Sequence, residues 1–147
     1  MNGIQSIPSY YKNTLMRSRI EVRWALILDK LGLQWEYEPQ GYKFSNGVMY
    51  LPDFAIYSDD TWFLEVKGIH PNEQEIEKAT LLAKGLKTNV VIVWNGIPPR
   101  LSHLSTMSIN KTGRVVLRNP LVEAFKVFDK DKRERILGIA RSFKFDK

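Results

Sequence analysis

The six residues Asn89–Trp94, NVVIVW, constrain the fold more than any other stretch of this chain. Four β-branched residues in succession, without polar alternation, make a strand whose two faces are both apolar and must both be covered. Upstream, Ile76, Ala79, Ala83 and Leu86 fall at helical spacing in Asn72–Leu86. Asn72 with Glu75 three residues on forms a capping box, and Lys84 and Lys87 suit the negative end of that helix. Before the helix, Thr61–Lys67 is apolar and aromatic enough for a central strand, stopped by Gly68. Strand, helix and strand in this order predict a right-handed parallel crossover.

The rest of the chain builds outward from that unit. Residues 1–16 show no period and are expected to form an irregular arm. Ile20, Trp24, Ile27, Leu28 and Leu31 predict a helix over Arg17–Leu31, capped by Ser18 and stopped by Gly32. Arg17, Arg19 and Arg23 lie off its apolar stripe. Gln34–Glu38, Tyr42–Phe44 and Val48–Tyr57 read as strands, with turns at Ser45-Asn46-Gly47 and Ser58-Asp59-Asp60. Together with Thr61–Lys67 they predict an antiparallel meander. Residues 97–113 are expected to be loop and Arg114–Arg118 a short strand. A helical region starts at Asn119-Pro120, since proline suits the first helical position. Its stripes are Leu121, Ala124, Phe125 and Phe128, then Ile136, Leu137, Ala140 and Phe143, with charged Asp129–Arg135 between them as a bend or an exposed middle. These stripes suit a core or a dimer interface. One α/β domain spanning 1–147 is predicted, with a core over about 16–94 and an extension over about 95–147.

The 147 residues suffice for one domain with a true core. Cysteine is absent, which excludes disulfides and thiolate metal sites, and two histidines, His70 and His103, are too few for a histidine-built zinc site. No apolar run approaches the ~18 residues of a membrane span, and the start lacks the pattern of a signal peptide, so a cytoplasmic protein without membrane contact is expected. The net charge of +6 is uneven. Residues 1–35 hold five Lys/Arg against two acids (+3), 36–119 hold nine of each (0), and 120–147 hold eight against five (+3). An excess at both ends suits phosphate backbones or anionic membranes, or serves solubility alone.

Strand alternation makes one cluster chemically informative. Trp62, Leu64 and Val66 face one side of the strand, and Phe63, Glu65 and Lys67 the other. Asp53 follows Pro52, which cannot donate to a sheet ladder and marks an edge, bulge or strand end. Across the hairpin an acid at 53 can approach Glu65. Two such carboxylates repel unless a cation lies between them. Oxygen ligands without sulfur or histidine indicate a hard ion, Mg²⁺ first and Mn²⁺ as a substitute. Asp53 and Glu65 are the expected ligands, with the Val66 carbonyl as a third. Such an ion polarises a phosphate oxygen and activates water. Lys67 would orient the water or hold developing negative charge; its carboxylate neighbours disfavour the neutral form that a general base requires.

Pro52-Asp53, followed twelve residues later by Glu65-Val66-Lys67-Gly68, resembles the PD-(D/E)XK nuclease superfamily. Arg17-Ser18-Arg19-Ile20-Glu21 opening a helix, then Leu33-Gln34-Trp35-Glu36-Tyr37-Glu38, is similar to the phage junction-resolving endonucleases and transposon-end nucleases. The resemblance covers about residues 16–94. It implies a restriction-endonuclease-like αβββαβ core, hydrolysis of DNA, and a role for the helix glutamate, here Glu21, in the active site with a second metal. Two readings of Glu21 stay open, because Ser18-x-x-Glu21 is also a capping box.

The expected function is therefore a metal-dependent DNA endonuclease with Glu21, Asp53, Glu65 and Lys67 as its catalytic set. By resemblance the substrate is branched DNA such as a Holliday junction, cut symmetrically by a homodimer. A site-specific nickase, a restriction-type or a transposon-end nuclease would use the same chemistry, and RNA as substrate is a further alternative. An inactive nuclease-like binding module is the reading from another class. Arg17, Arg19, Arg23 and Lys78 are the candidate DNA contacts, against ordinary solvent-facing roles. His70 reads as a loop histidine.

Overall fold

The computed structural model describes residues 6–145. Its centre is a six-stranded mixed sheet. In chain order the elements are β1 (Ser9–Tyr11), β2 (Thr14–Met16), α1 (Arg19–Lys30), β3 (Gln34–Tyr37), β4 (Tyr42–Lys43), β5 (Met49–Tyr50), β6 (Phe54–Tyr57), β7 (Thr61–Val66), α2 (Glu73–Leu86), β8 (Asn89–Trp94), β9 (Ser105–Ile109), β10 (Val115–Val116), α3 (Pro120–Lys126) and α4 (Lys130–Arg141). The sheet runs β10-β9-β8-β7-β6-β3, and only β7 and β8 are parallel. The parallel pairing of β7 and β8 is as expected, with α2 between them in the chain. Val90, Val91, Ile92 and Val93 are all buried, as a strand covered on both faces requires.

Two apolar layers sandwich the sheet. Trp24, Ile27 and Leu28 of α1 pack with Phe54, Ile56, Leu64 and Val66 on one face, joined by Leu121 and Phe125 of α3 and by Ile136, Leu137 and Ala140 of α4. The C-terminal stripes are thus part of the core. On the other face Ala79, Leu82 and Ala83 of α2 meet Ala55, Phe63, Val90 and Ile92, with Tyr50 closing the edge. Leu86 is half exposed, so Leu82 takes the place expected for it.

Four local expectations are corrected. Residues 9–16 form a β-hairpin whose Lys12-Asn13 turn has both φ angles positive (48° and 65°), the geometry of a two-residue primed turn. Residues 105–109 form β9, paired along β8. Val48–Tyr57 is split, because Leu51-Pro52-Asp53 interrupts it between β5 and β6. Tyr42–Phe44 leaves the expected meander, because β4 pairs with β5 in a separate two-stranded sheet and β3 pairs directly with β6. The bend expected at the charged stretch lies at its start, where residues 127–129 break the helix and the Asp129 side chain accepts the Lys132 N–H to open α4.

Candidate active site

The site forms where β6 begins, the parallel strands β7 and β8 end, and the N-termini of α1 and α2 arrive. Continuing the β6–β7 register past Phe54↔Leu64 sets Asp53 opposite Glu65 and Pro52 opposite Val66. At that step the backbone ladder is replaced by reciprocal side-chain bonds. The Asp53 N–H donates to Glu65 Oε1 (2.7 Å), and the Val66 N–H donates to Asp53 Oδ2 (2.8 Å). Pro52 has no N–H for the Val66 carbonyl, which points to the same edge as the Val66 N–H, so the proline withholds that acceptor's ladder donor.

Glu21, Asp53 and Glu65 are all buried, at 6%, 5% and 3% exposure. Burial and then the Glu21 carboxylate push Asp53 up to about 6, against the Val66 N–H, Lys67 and Arg17. Burial and the Asp53 charge raise Glu65 well above the usual carboxylate range. Negative charge is therefore concentrated here beyond what the resident cations offset.

Lys67 extends on the face of Glu65, as alternation requires. Its Nζ lies 3.8 Å from Glu65 Oε2 and 3.1 Å from Glu75 Oε2. Burial lowers the pKa of this amine, but Glu65, Glu75 and Asp53 outweigh burial and leave it raised. Lys67 is thus held as the ammonium ion, a donor and a positive charge. Glu75 serves twice. Its Oε1 accepts the Asn72 N–H (2.9 Å) in the capping box of α2, and its Oε2 holds Lys67.

Glu21 enters from α1. Ser18 caps the helix by accepting the Glu21 N–H, but the Glu21 carboxylate turns to the hydroxyls of Ser18 (2.7 Å) and Tyr37 (2.6 Å). The residue thus combines a capped backbone with a buried carboxylate beside Asp53. Tyr37 also accepts the Arg17 N–H, and the Arg17 side chain sets Nη2 3.0 Å from Asp53 Oδ1 and Nε 3.6 Å from Glu38 Oε2.

The other candidates lie apart from the Asp53–Glu65 pair, with Lys78 near enough to Glu75 to help lower its pKa. Arg23 donates to the Ala140 and Arg141 carbonyls at the end of α4, and both Arg19 and Arg23 lie over the Phe145 ring. Lys78 is an exposed residue of α2. His70 packs edge-on against Trp94. Sequence reasoning missed Tyr37, Tyr50 and the second role of Glu75. Tyr50 lies beside Glu65, and burial followed by the Glu65 charge raises its phenol pKa.

The donor set suits a hard divalent cation. Two buried carboxylates with raised pKa gain by sharing a cation, and the Val66 carbonyl is a third oxygen on the same edge. Among the described residues no three His, Asp or Glu side chains converge as a ready-made cage. The fit rests on two carboxylates and a carbonyl, with water completing the shell, as Mg²⁺ prefers. No protein-family model, curated protein or solved structure matches this chain. Among the described residues no helix is long and apolar enough to cross a membrane.

Proposed function

We propose that this chain is a metal-dependent DNA endonuclease built on a restriction-endonuclease-like core. The observation that carries the reading is the reciprocal pair at the β6–β7 edge, with Asp53 and Glu65 each bonded to the other strand's backbone and Lys67 on the same face. The order α1, β3, β6, β7, α2, β8 supports it, because it delivers these groups to one sheet edge beside the Glu21 helix.

Asp53, Glu65 and the Val66 carbonyl would hold Mg²⁺, or Mn²⁺ in its place, with Glu21 available to a second ion. Bound there, the ion supplies Lewis-acid polarisation of a phosphate oxygen and a water acidic enough to attack at neutral pH. The residues of the chain supply the rest. Lys67, charged and steadied by Glu75, donates to the phosphate oxygen on which negative charge grows, a preorganised stabilisation. Tyr37 fixes the orientation of Glu21 through its hydroxyl, as partners of ligands commonly do, and Tyr50 packs beside Glu65. In hydrolysis the water oxygen forms the new bond to phosphorus, one P–O ester bond breaks, and the leaving oxygen takes a proton.

Branched DNA is the proposed substrate and a homodimer the proposed active unit, because symmetric cutting of a junction needs two centres. The test is cleavage of four-way junction, linear duplex, nicked and single-stranded DNA in Mg²⁺, with EDTA as control. Preferential, paired cuts in the junction are expected. Equal cutting of duplex and junction would overturn the substrate assignment, and no Mg²⁺-dependent cutting of any of them would overturn the nuclease reading.

A further inference from the structure

The described residues after β8 carry a second cluster of charge away from the carboxylates. A 3-10 turn at Leu101–His103 and the start of α4 border an open groove of about 270 Å³, lined by Arg100, Leu101, Ser102, Lys130, Arg133 and Glu134. Three cations face one carboxylate there, a local balance of +2. The Arg133 Nε is buried without a hydrogen-bond partner. Arg100 approaches Glu134 only to 4.0 Å, and its side chain is 62% exposed.

Glu134 lies nearest Arg100, and the Arg133 guanidinium makes no hydrogen bond or ion pair among the described residues, so the charge of its fork in the groove is left for an anion. A phosphate offers several acceptor oxygens at once and matches the guanidinium fork. The Ser102 hydroxyl can donate to the same group.

We propose that this groove binds a phosphate group, and that its physiological occupant is a backbone phosphodiester of DNA. The choice of DNA rests on the function proposed above. Position supports it. α4 carries Arg133 near one end, while Arg23, two residues beyond Glu21, grips the carbonyls of Ala140 and Arg141 at the other. Seven residues of helix separate Arg133 from Ala140, roughly 10 Å. That is the axial advance of about three nucleotides of one strand. A strand passing the Glu21 helix can therefore reach the groove a few nucleotides farther on.

The test uses the full chain and two probes. Inorganic phosphate, titrated at constant ionic strength against chloride and read by amide chemical shifts, should move Arg100–Arg133 resonances in the wild type. It should leave the Arg100→Ala/Lys130→Ala double variant unmoved. Affinity for a junction and for a duplex, measured in Ca²⁺ across a KCl series, should fall about tenfold at 100 mM salt in that variant. Its slope of log K on log[KCl] should drop by roughly 0.9 for each phosphate that the variant no longer neutralises. Single-turnover cleavage at saturating DNA should be unchanged. Arg133→Lys, which keeps charge but not the fork, gives an intermediate loss and guards against misfolding of an alanine variant. Unchanged phosphate shifts overturn the site, and lost shifts with unchanged DNA affinity overturn DNA as its occupant. A wild type that binds DNA through the groove yet cuts nothing in Mg²⁺ would sink the nuclease reading and leave the groove assignment standing.

Discussion

Replacing Asp53 by asparagine should make the metal-free protein more stable at neutral pH. The folded protein holds the Asp53 carboxyl at about 6, against the ordinary 3.8, because it is buried beside Glu21. The folded state thus binds this proton more tightly than the unfolded chain does. The stabilisation is complete below about pH 4 and is lost as pH rises through about 6. Two pKa units correspond to roughly 3 kcal/mol at pH 7.5, an upper bound for the relief that a neutral side chain brings. Asparagine keeps an oxygen for the Val66 N–H but forfeits the charge facing Arg17, so a net gain of about 1–2 kcal/mol is expected. In a domain of this size that is roughly 2–8 °C in melting temperature. The assay is thermal and urea unfolding of both proteins in EDTA at pH 5.0 and 7.5. The variant should be ahead at pH 7.5, and its advantage should shrink at pH 5.0. Adding Mn²⁺ at pH 7.5 should stabilise the wild type far more than the variant. An asparagine variant that is less stable than wild type at pH 7.5 in EDTA would refute the electrostatic reasoning.

Two further outcomes follow from the same geometry. Glu75→Gln keeps the acceptor that caps α2 but loses the charge that holds Lys67, so kcat should fall about tenfold with KM, Mn²⁺ affinity and melting temperature nearly unchanged; a loss confined to stability would reduce Glu75 to a cap. Arg17→Gln removes the cation from Asp53 Oδ1 and should tighten Mn²⁺ binding several-fold in calorimetry, whereas unchanged or weaker binding would show that Arg17 does not compete with the ion.

The parts legible in the sequence were those set by local period. Alternation alone puts Glu65 and Lys67 on one face, the continuous run at Asn89–Trp94 predicts both covering layers, and the strand, helix, strand order predicts the parallel crossover. β9 escaped because Met107 and Ile109 alternate with Thr106 and Ser108 over only four residues, set among proline, serine, asparagine and glycine; its strand form shows in its pairing with β8. The hairpin at 9–16 escaped because Lys12-Asn13 is not a usual primed-turn pair. At the site, Glu75 was legible only as a cap, since its first oxygen is set by Asn72 and its second by a lysine eight residues upstream. Tyr37 and Tyr50 carry no signal beyond strand apolarity, because their partners Glu21 and Glu65 are brought to them by the folded sheet. The interruption at Pro52 was legible as an edge. Its consequence, a carbonyl without its ladder donor, required the register.

The central claim is hydrolysis of DNA by the Asp53–Glu65–Lys67 constellation. Single-turnover cleavage of a labelled four-way junction in Mg²⁺ by wild type, Asp53→Ala and Lys67→Ala, with binding matched in Ca²⁺, tests it most directly. Both variants should bind the junction within a few-fold of wild type and cut it at least a thousandfold more slowly, about 4 kcal/mol of lost transition-state stabilisation. Cleavage by either variant at the wild-type rate would contradict the account.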